Sequence, residues 1–136
     1  MERLKASGFD FGKPAVVAST GVSMYLTKAA VAATLREVAS LAPGSVLAVT
    51  FSLPLDLVDA EVRPGFERAL QGARASGTPF LSFFTPAEML ALAREAGFKA
   101  GQHVSGAMLA ERYFKNRTDG FRPPNNAEEL LVATTG

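Results

Sequence analysis

The sequence predicts an α/β domain in which the strands of a mainly parallel sheet alternate with helices. Short apolar runs that are continuous rather than alternating are typical of strands buried on both faces. The segments between them carry apolar residues at helical spacing and are bounded by residues that begin and end helices. With 136 residues, of which 48% are hydrophobic, the chain is long enough to form one domain, residues 1–136, around its own core.

The first third of the chain predicts two strands with a helix between them. Residues 14–19 form an apolar run that begins at Pro14, and we expect this strand to be buried on both faces. Thr27 is placed to cap a helix from Lys28 to about Leu41, and Pro43-Gly44 ends that helix. Residues 45–53 predict the second strand.

The rest of the chain continues the alternation. Residues 54–63 predict a loop with one helical turn, and a helix that contains Phe66 ends near Gly77. The sequence Thr85-Pro86-Ala87-Glu88 predicts a helix start with a capping box, and Gly97 ends this helix. The remaining predicted elements are a strand at 98–104, a short helix at 107–115, a polar loop at 118–126 and a strand at 130–134, which could run antiparallel at or near an edge.

Composition excludes several classes of protein. Fourteen basic residues against thirteen acidic ones argue against a nucleic-acid or membrane-surface partner, which an excess of positive charge would attract. The chain has no cysteine, and its one histidine, His103, cannot form a two-histidine metal site, so we expect no metal. His103 itself fits a strand surface better than a catalytic base. No signal peptide or spanning segment is evident, and we expect a cytoplasmic protein.

The usual signatures of nucleotide binding and hydrolysis are missing from the sequence. No glycine-rich turn follows the first strand, and the chain contains no GxxxxGK[ST], GxSxG or HExxH motif. The sequence pattern alone therefore predicts an α/β domain and does not assign a reaction to it.

Five segments stand out as a set: residues 14–27 (PAVVASTGVSMYLT), 41–45 (LAPGS), 79–89 (PFLSFFTPAEM), 96–98 (AGF) and 122–134 (RPPNNAEELLVAT). Each is weak alone. Together, and in this order along the chain, they resemble the leucine carboxyl methyltransferase-like family of S-adenosylmethionine-dependent methyltransferases.

The resemblance implies a partial Rossmann-like class I methyltransferase sheet. The four predicted strands would be the fourth, fifth, sixth and antiparallel seventh strands of that fold, in the spatial order 4-5-7-6. The chain would then be the C-terminal half of a methyltransferase fold, in a truncated form. Because most of the S-adenosylmethionine site of the family lies on the first three strands, we expect the 136 residues alone to be inactive and not to bind the cofactor tightly.

Ligands of open α/β sheets bind beyond the carboxyl ends of the strands. By resemblance, Thr20 and Gly21 would contact the cofactor, although the family has a glutamate where this chain has Thr20. Tyr25, Phe84 and Arg122 would face the substrate. Each assignment has a structural alternative: an ordinary turn at residues 20–21, a core aromatic at Phe84 and a rigid surface turn at Arg122, in which Asn126 is a local cap.

Two functions of different classes follow. The first is O-methylation of a small-molecule carboxylate or hydroxyl. The second is a non-catalytic interaction module, in which the apolar strand Ala15–Ala18 lies at an edge of the sheet and pairs with a second copy of the chain to form a homodimer or a higher oligomer. A small-ligand carrier has no support in the sequence.

Overall fold

A four-stranded sheet forms the centre of the protein, in a computed structural model that describes residues 1–123 and 126–136. Its strands are β1 (Val16–Ser19), β2 (Val46–Ser52), β3 (Ala100–Val104) and β4 (Glu128–Thr134), in the spatial order β1-β2-β4-β3. β1 and β2 are parallel, whereas β4 runs antiparallel to both of its neighbours. The order and the antiparallel last strand both agree with the fold predicted from the sequence.

The helices begin and end largely where the sequence predicts. The hydroxyl of Thr27 accepts a hydrogen bond from the amide of Ala30, and Thr85 and Glu88 form a capping box. The α-helices are α1 (Glu2–Ala6), α2 (Lys28–Ala39), α3 (Arg63–Ala75), α4 (Pro86–Ala96) and α5 (Gly106–Leu109).

Three local features differ from the prediction or refine it. α1 has no predicted counterpart, because five residues without a buried side chain leave no periodic pattern to detect. The predicted helix at 107–115 is confirmed as helical, but it changes from α5 to a π-helical segment at Ala110–Phe114. The single helical turn expected after β2 is the 3-10 helix Leu55–Leu57.

The core lies on one face of the sheet. Leu47, Val49 and Phe51 of β2 alternate toward this face, and Leu131 and Ala133 of β4 lie beside them in the register of the two strands. Helices α2 and α4 supply the opposing apolar side chains, among them Val31, Leu35, Val38, Met89 and Ala93. This layer fixes the ends of the strands in position for the site described below.

The other face of the sheet is partly open, and the prediction that the first strand is buried on both faces is wrong. Val16 is 80% exposed and Ala18 is exposed as well. Both lie on the same side as Ala48, opposite the helices. Among the described residues β1 pairs only with β2, so it is also an edge strand. An apolar run identifies a strand, but the number of covered faces depends on which elements pack against it.

A compact polar network closes the amino end of β2. The Ser45 hydroxyl donates to the carbonyl of Ala42 (2.6 Å) and accepts from the amide of Ala15 (3.1 Å). The Thr135 hydroxyl accepts from the amide of Ser45 (2.9 Å) and donates to the same Ala42 carbonyl (2.7 Å). Ser45 and Thr135 are buried, so these bonds join β1, β2 and the end of β4 where water is excluded.

Candidate functional site

A cavity of about 280 Å³ lies at the carboxyl ends of β1 and β2, where ligands bind in open α/β sheets. Because β4 is antiparallel to β2, its first residue, Glu128, lies opposite Ser52 at this same end of the sheet. The cavity is lined by Thr20, Gly21, Thr50, Gly106, Leu109, Glu128, Glu129 and Leu130. Four separate segments therefore meet at it.

The loop after β1 is held against the neighbouring strands by two donors. The amide of Gly21 donates to the Thr50 hydroxyl of β2 (2.8 Å) and to Oε1 of Glu128 on β4 (3.2 Å). The hydroxyl of Ser23, which is buried, donates to the carbonyl of Thr50 (2.7 Å). Gly21 has a φ of +67°, a conformation that glycine adopts without steric cost. The backbone at the cavity is consequently fixed by contacts to both β2 and β4.

A buried acid forms another wall of the cavity. The side chain of Glu129 is only 7% exposed, and its Oε2 accepts a hydrogen bond from Nε2 of His103 on the adjacent strand β3. The histidine ring also lies 6.2 Å, centroid to centroid, from the ring of Phe51. The Glu129 carboxylate is thus held in place on the core side of the sheet, and Glu129 is among the residues that line the cavity.

The electrostatic character of the cavity is acidic. Glu128 and Glu129 both line it, and none of the described residues in its lining is Lys or Arg. Oxygen atoms of carboxylates accept hydrogen bonds and repel anions. The arrangement can therefore hold and orient a group that donates hydrogen bonds.

Thr20 and Gly21, predicted to contact the cofactor, are the two sequence-predicted site residues that the structure brings together at this cavity. Tyr25 lies elsewhere, beside a separate hollow that Pro79 and Leu81 also line. Its ring packs edge-on against Phe80, with 5.2 Å between the ring centroids.

Phe84 also lies apart from the cavity. Its side chain is 1% exposed and belongs to the core cluster, and the Lys28 ammonium lies 4.9 Å from its ring centroid. The same ammonium is 3.8 Å from the carboxylate of Glu88. The amide of Thr85 donates to this carboxylate and is the main cause that lowers the pKa of Glu88, with smaller contributions from Lys28 and the Thr85 hydroxyl.

Arg122 is exposed in the segment after the π-helical turn and does not line the cavity. Its guanidinium contacts the carbonyl of the preceding residue, Phe121, at 3.4 Å. Arg117 and the amide of Phe121 both donate to Asp119 and lower the pKa of that carboxyl.

The turn after Arg122 includes residues 124–125, which lie outside the described residues. The Asn126 side chain contacts the loop after β2. Its side-chain oxygen accepts from the amide of Asp59 (3.1 Å), and its amide nitrogen donates to the carbonyl of Leu57 (3.3 Å). Asn126 therefore ties the start of β4 to the loop after β2.

Sequence reasoning missed Thr50, Glu128 and Glu129. Thr50 is a polar residue inside the apolar run of β2, and the two glutamates immediately precede the apolar residues of the last strand. These polar residues within or beside apolar strands are visible in the sequence. That they line one cavity depends on the antiparallel register, which places residues 78 positions apart, such as Thr50 and Glu128, at one end of the sheet.

In the part of the chain that the structure describes, no group of three or more acidic or histidine side chains is arranged to hold a metal ion. Within the same residues, no helix combines the length and the hydropathy that crossing a membrane requires.

Comparison with protein families gives a match over the first part of the chain. The leucine carboxyl methyltransferase family matches residues 1–39, which include β1, Thr20, Gly21 and α2. No curated protein matches the chain.

Solved structures of methyltransferases share the fold. The chain is similar to a DUF574 family protein from Streptomyces avermitilis, with a TM-score of 0.61 and 19% identity over 93% of this chain and 46% of that one. An O-methyltransferase family protein from Burkholderia thailandensis matches with a TM-score of 0.53 and 13% identity, over 99% of this chain and 39% of that one. Human N-acetylserotonin methyltransferase in complex with S-adenosylmethionine matches with a TM-score of 0.52 and 17% identity, over 93% and 32% of the two chains.

The chain spans less than half the length of each of these three structures. Its strand order, its antiparallel last strand and these matches together describe a partial Rossmann-like methyltransferase fold. The match of the leucine carboxyl methyltransferase family to residues 1–39 agrees with the predicted resemblance over that segment.

Proposed function

We propose that this chain contributes to an S-adenosylmethionine-dependent methyltransferase that methylates an oxygen atom of a small molecule. The observation that carries the proposal is the position of the cavity. It lies at the carboxyl ends of β1 and β2, and the family-matched segment supplies Thr20 and Gly21 to its wall. The methyltransferase fold of the whole chain supports the same activity.

The residues at the loop fit the approach of a bulky cofactor. A Cβ atom built on Gly21 would meet nothing within 4 Å, so the backbone is open to a ligand on that side. Thr20 is exposed at the same edge of the cavity. Thr20 and Gly21 would hold the cofactor, which supplies a methyl group on a positively charged sulfur atom when it is bound.

The contribution of the chain to the reaction is positioning. Fixed backbone and side-chain groups orient an acceptor so that its nucleophilic oxygen is held at reacting distance, and such orientation supplies a large part of the acceleration in group transfer. The Gly21 amide is fixed by Thr50 and Glu128, and the Glu129 carboxylate is fixed by His103. These groups form a rigid frame around the cavity.

The 136 residues span less than half of each of the three structures described above, and we propose that alone they bind S-adenosylmethionine only weakly and do not turn over. Titration of the isotope-labelled chain with the cofactor, followed by amide NMR, tests the weak binding and its location. We expect shifts centred on Thr20, Gly21 and Thr50 with a dissociation constant on the order of 1 mM, which corresponds to ~4 kcal/mol of binding free energy.

Thr20→Ala should weaken these shifts, and Thr34→Ala on the exposed side of α2 is the matched control. ATP, which carries the adenosine part without the sulfonium, should leave the cavity amides unmoved. Shifts that avoid residues 20, 21 and 50 would contradict the methyltransferase assignment. Micromolar binding would support that assignment and refute the expected weakness of the chain alone.

A second candidate function is self-association through β1, which the exposure of this edge favours. Val46 donates to the carbonyl of Ala15, so the alternation of a parallel ladder directs the amides of Val16 and Ala18 away from β2. An apolar edge with free backbone groups is a template for pairing with another chain. Two copies joined at β1 across a two-fold axis would form one continuous sheet.

Size-exclusion chromatography with light scattering tests this association. The wild-type chain should have the mass of two or more copies at concentrations on the order of tens of micromolar. Ala18→Pro removes an outward amide and should give monomers, as should Val16→Lys, which adds a charge to the edge. Lys13→Ala, in the exposed loop before the strand, is the control. A monomeric wild-type chain at these concentrations would refute the dimer.

A further inference from the structure

A second cavity, of about 240 Å³, lies at the carboxyl end of β2 and has aromatic side chains in its wall. We call it the aromatic cavity; its lining includes Met24, Ser52, Phe66, Ala69, Phe80 and Glu128. Glu128 also lines the first cavity, so the two cavities adjoin at this residue. The aromatic cavity narrows the chemical class of the methyl acceptor, an inference that rests on the proposed function.

The aromatic rings at this cavity form one cluster. The ring centroid of Phe80 is 5.2 Å from that of Tyr25 and 6.3 Å from that of Phe66. Phe83 lies 6.4 Å from Phe66 and 6.3 Å from Phe80. All four distances are within the range in which aromatic rings attract one another edge-on or offset. Phe66 is buried, whereas Phe80 is only partly buried, so the cluster has surface left for a further ring.

Backbone hydrogen bonds fix the walls of the aromatic cavity. The amide of Leu81, the residue after Phe80, donates to the carbonyl of Met24 (2.6 Å). The amide of Phe84 donates to the carbonyl of Ser52 (2.9 Å). The segment that carries Phe80 is therefore tied both to the turn before α2 and to the end of β2. Such fixed walls are typical of ligand cavities, which are usually formed before the ligand binds.

The size and the polarity of the aromatic cavity suit one ring. Gly65 and Ala69 lie one turn apart on α3, and their small side chains leave space beside Phe66. An apolar cavity on the order of 150 Å³ binds benzene, so this cavity has room for a ring with a small substituent. Glu128 is the one charged residue among the described residues of the lining, and it lies at the border with the first cavity. A substituent of the ring can therefore reach the cavity in which we place the cofactor.

We propose that the methyl acceptor carries a single aromatic ring and that this ring binds in the aromatic cavity against Phe66 and Phe80. These two residues determine the specificity, because an aromatic ring that contacts them edge-on gains an attraction that an aliphatic ring of the same size lacks. The oxygen atom to be methylated is a substituent of the ring and lies at the border between the two cavities.

Phenol and cyclohexanol isolate this one property, because they have nearly the same size and the same hydroxyl group and differ in the aromaticity of the ring. Each is titrated into the isotope-labelled chain without cofactor, and the amides of Phe66, Ala69, Phe80 and Glu128 are followed by NMR. We expect phenol to shift these amides and to bind at least about fivefold more tightly than cyclohexanol, a difference of ~1 kcal/mol. Nuclear Overhauser effects from phenol to the rings of Phe66 and Phe80 should place it in the aromatic cavity.

Phe80→Leu keeps an apolar side chain but removes one ring, and it should reduce the preference for phenol to about twofold or less. Phe121→Leu, at an exposed ring that does not line the cavity, is the matched control and should leave the preference unchanged. Ala69→Leu, at an exposed position of α3, fills the cavity and keeps the test available if Phe80→Leu does not fold. It should abolish the phenol shifts, whereas Ala75→Leu, exposed at the end of the same helix, should not.

Equal binding of the two probes by the wild-type chain would overturn the proposal, as would phenol shifts confined to residues outside the aromatic cavity or full phenol binding by Ala69→Leu. The cofactor titration described above follows other amides, those of Thr20, Gly21 and Thr50. Cofactor shifts without a preference for phenol would refute only the aromatic acceptor. A preference for phenol without cofactor shifts would refute only the methyltransferase.

Discussion

His103 on β3 and Glu129 on β4 are joined by a hydrogen bond between neighbouring antiparallel strands. In the register of the two strands His103 lies opposite Leu131, so the imidazole reaches Glu129 diagonally across the ladder. This bond links the edge strand β3 to β4 and involves the only histidine in the chain.

The bond should contribute measurably to stability. His103→Ala leaves the buried carboxylate without its partner, and we expect the free energy of unfolding to fall by about 1–3 kcal/mol. Urea denaturation of both single variants and of the double variant His103→Ala/Glu129→Ala gives the coupling between the two side chains. Gln102→Ala, exposed on the same strand, is the control and should change stability by less than about 0.5 kcal/mol. Additive single effects would show that the pair is not coupled.

The conformation of Gly21 predicts opposite signs for two glycine substitutions. Gly21→Ala introduces no clash, since a Cβ there meets nothing within 4 Å, but the φ of +67° is strained for alanine. Stability should fall by ~1 kcal/mol. Gly72→Ala within α3 also enters open space and should raise stability by about 0.5–1 kcal/mol, because alanine favours the helix. Thermal denaturation of both variants measures the two shifts, and the same sign for both would contradict this account.

The buried hydroxyl of Ser45 should be needed for the amino end of the sheet. Ser45→Ala leaves the amide of Ala15 without its acceptor and removes one of the donors to the Ala42 carbonyl, which keeps its bond from Thr135. We expect a loss of about 1–3 kcal/mol in the free energy of unfolding, measured by denaturant titration. Ser40→Ala, whose exposed hydroxyl donates to the carbonyl of Glu37 at the end of α2, is the matched control and should cost much less. Equal losses in the two variants would refute a special role for burial.

The start of α4 should weaken in acid. The pKa of Glu88 is lowered mainly by the Thr85 amide, so the unfolded chain binds a proton more readily than the folded one between the two pKa values. The stability contributed by this carboxylate is therefore present above its unfolded pKa and is lost as the pH falls through the lowered folded pKa.

NMR titration of the side-chain carboxyl carbon of Glu88 measures this pKa directly. Glu88→Gln should flatten the corresponding part of the dependence of stability on pH, and Glu95→Gln on the same helix should not. A Glu88 pKa at or above the ordinary value for glutamate would contradict the prediction.

Most of the fold follows from local signals in the sequence. The cap at Thr27 and the capping box at Thr85 and Glu88 lie where the sequence predicts, because these contacts span only three residues along the chain. The exposure of Val16 could not be predicted in the same way. This exposure depends on which helices cover which face of the sheet. The composition of the strand does not indicate which faces will be covered.

The candidate site was predictable only in part, for a related reason. Thr20 and Gly21 follow a recognisable strand, and the position of that strand end suffices to place them. Glu128 and Glu129 reach the cavity through the antiparallel register between β2 and β4, a pairing of distant segments. His103 was expected on a strand surface, and its contact with Glu129 depends on the same last strand.

The placement of β4 constrains when the protein can fold during its synthesis. β4 follows the other three strands in the sequence, yet it lies between β2 and β3, and it is the one strand among the described residues that β3 pairs with. Until β4 has been synthesised, β3 therefore lacks this partner and β2 has an open edge. The two edges must be kept from aggregating until the strand that joins them is available.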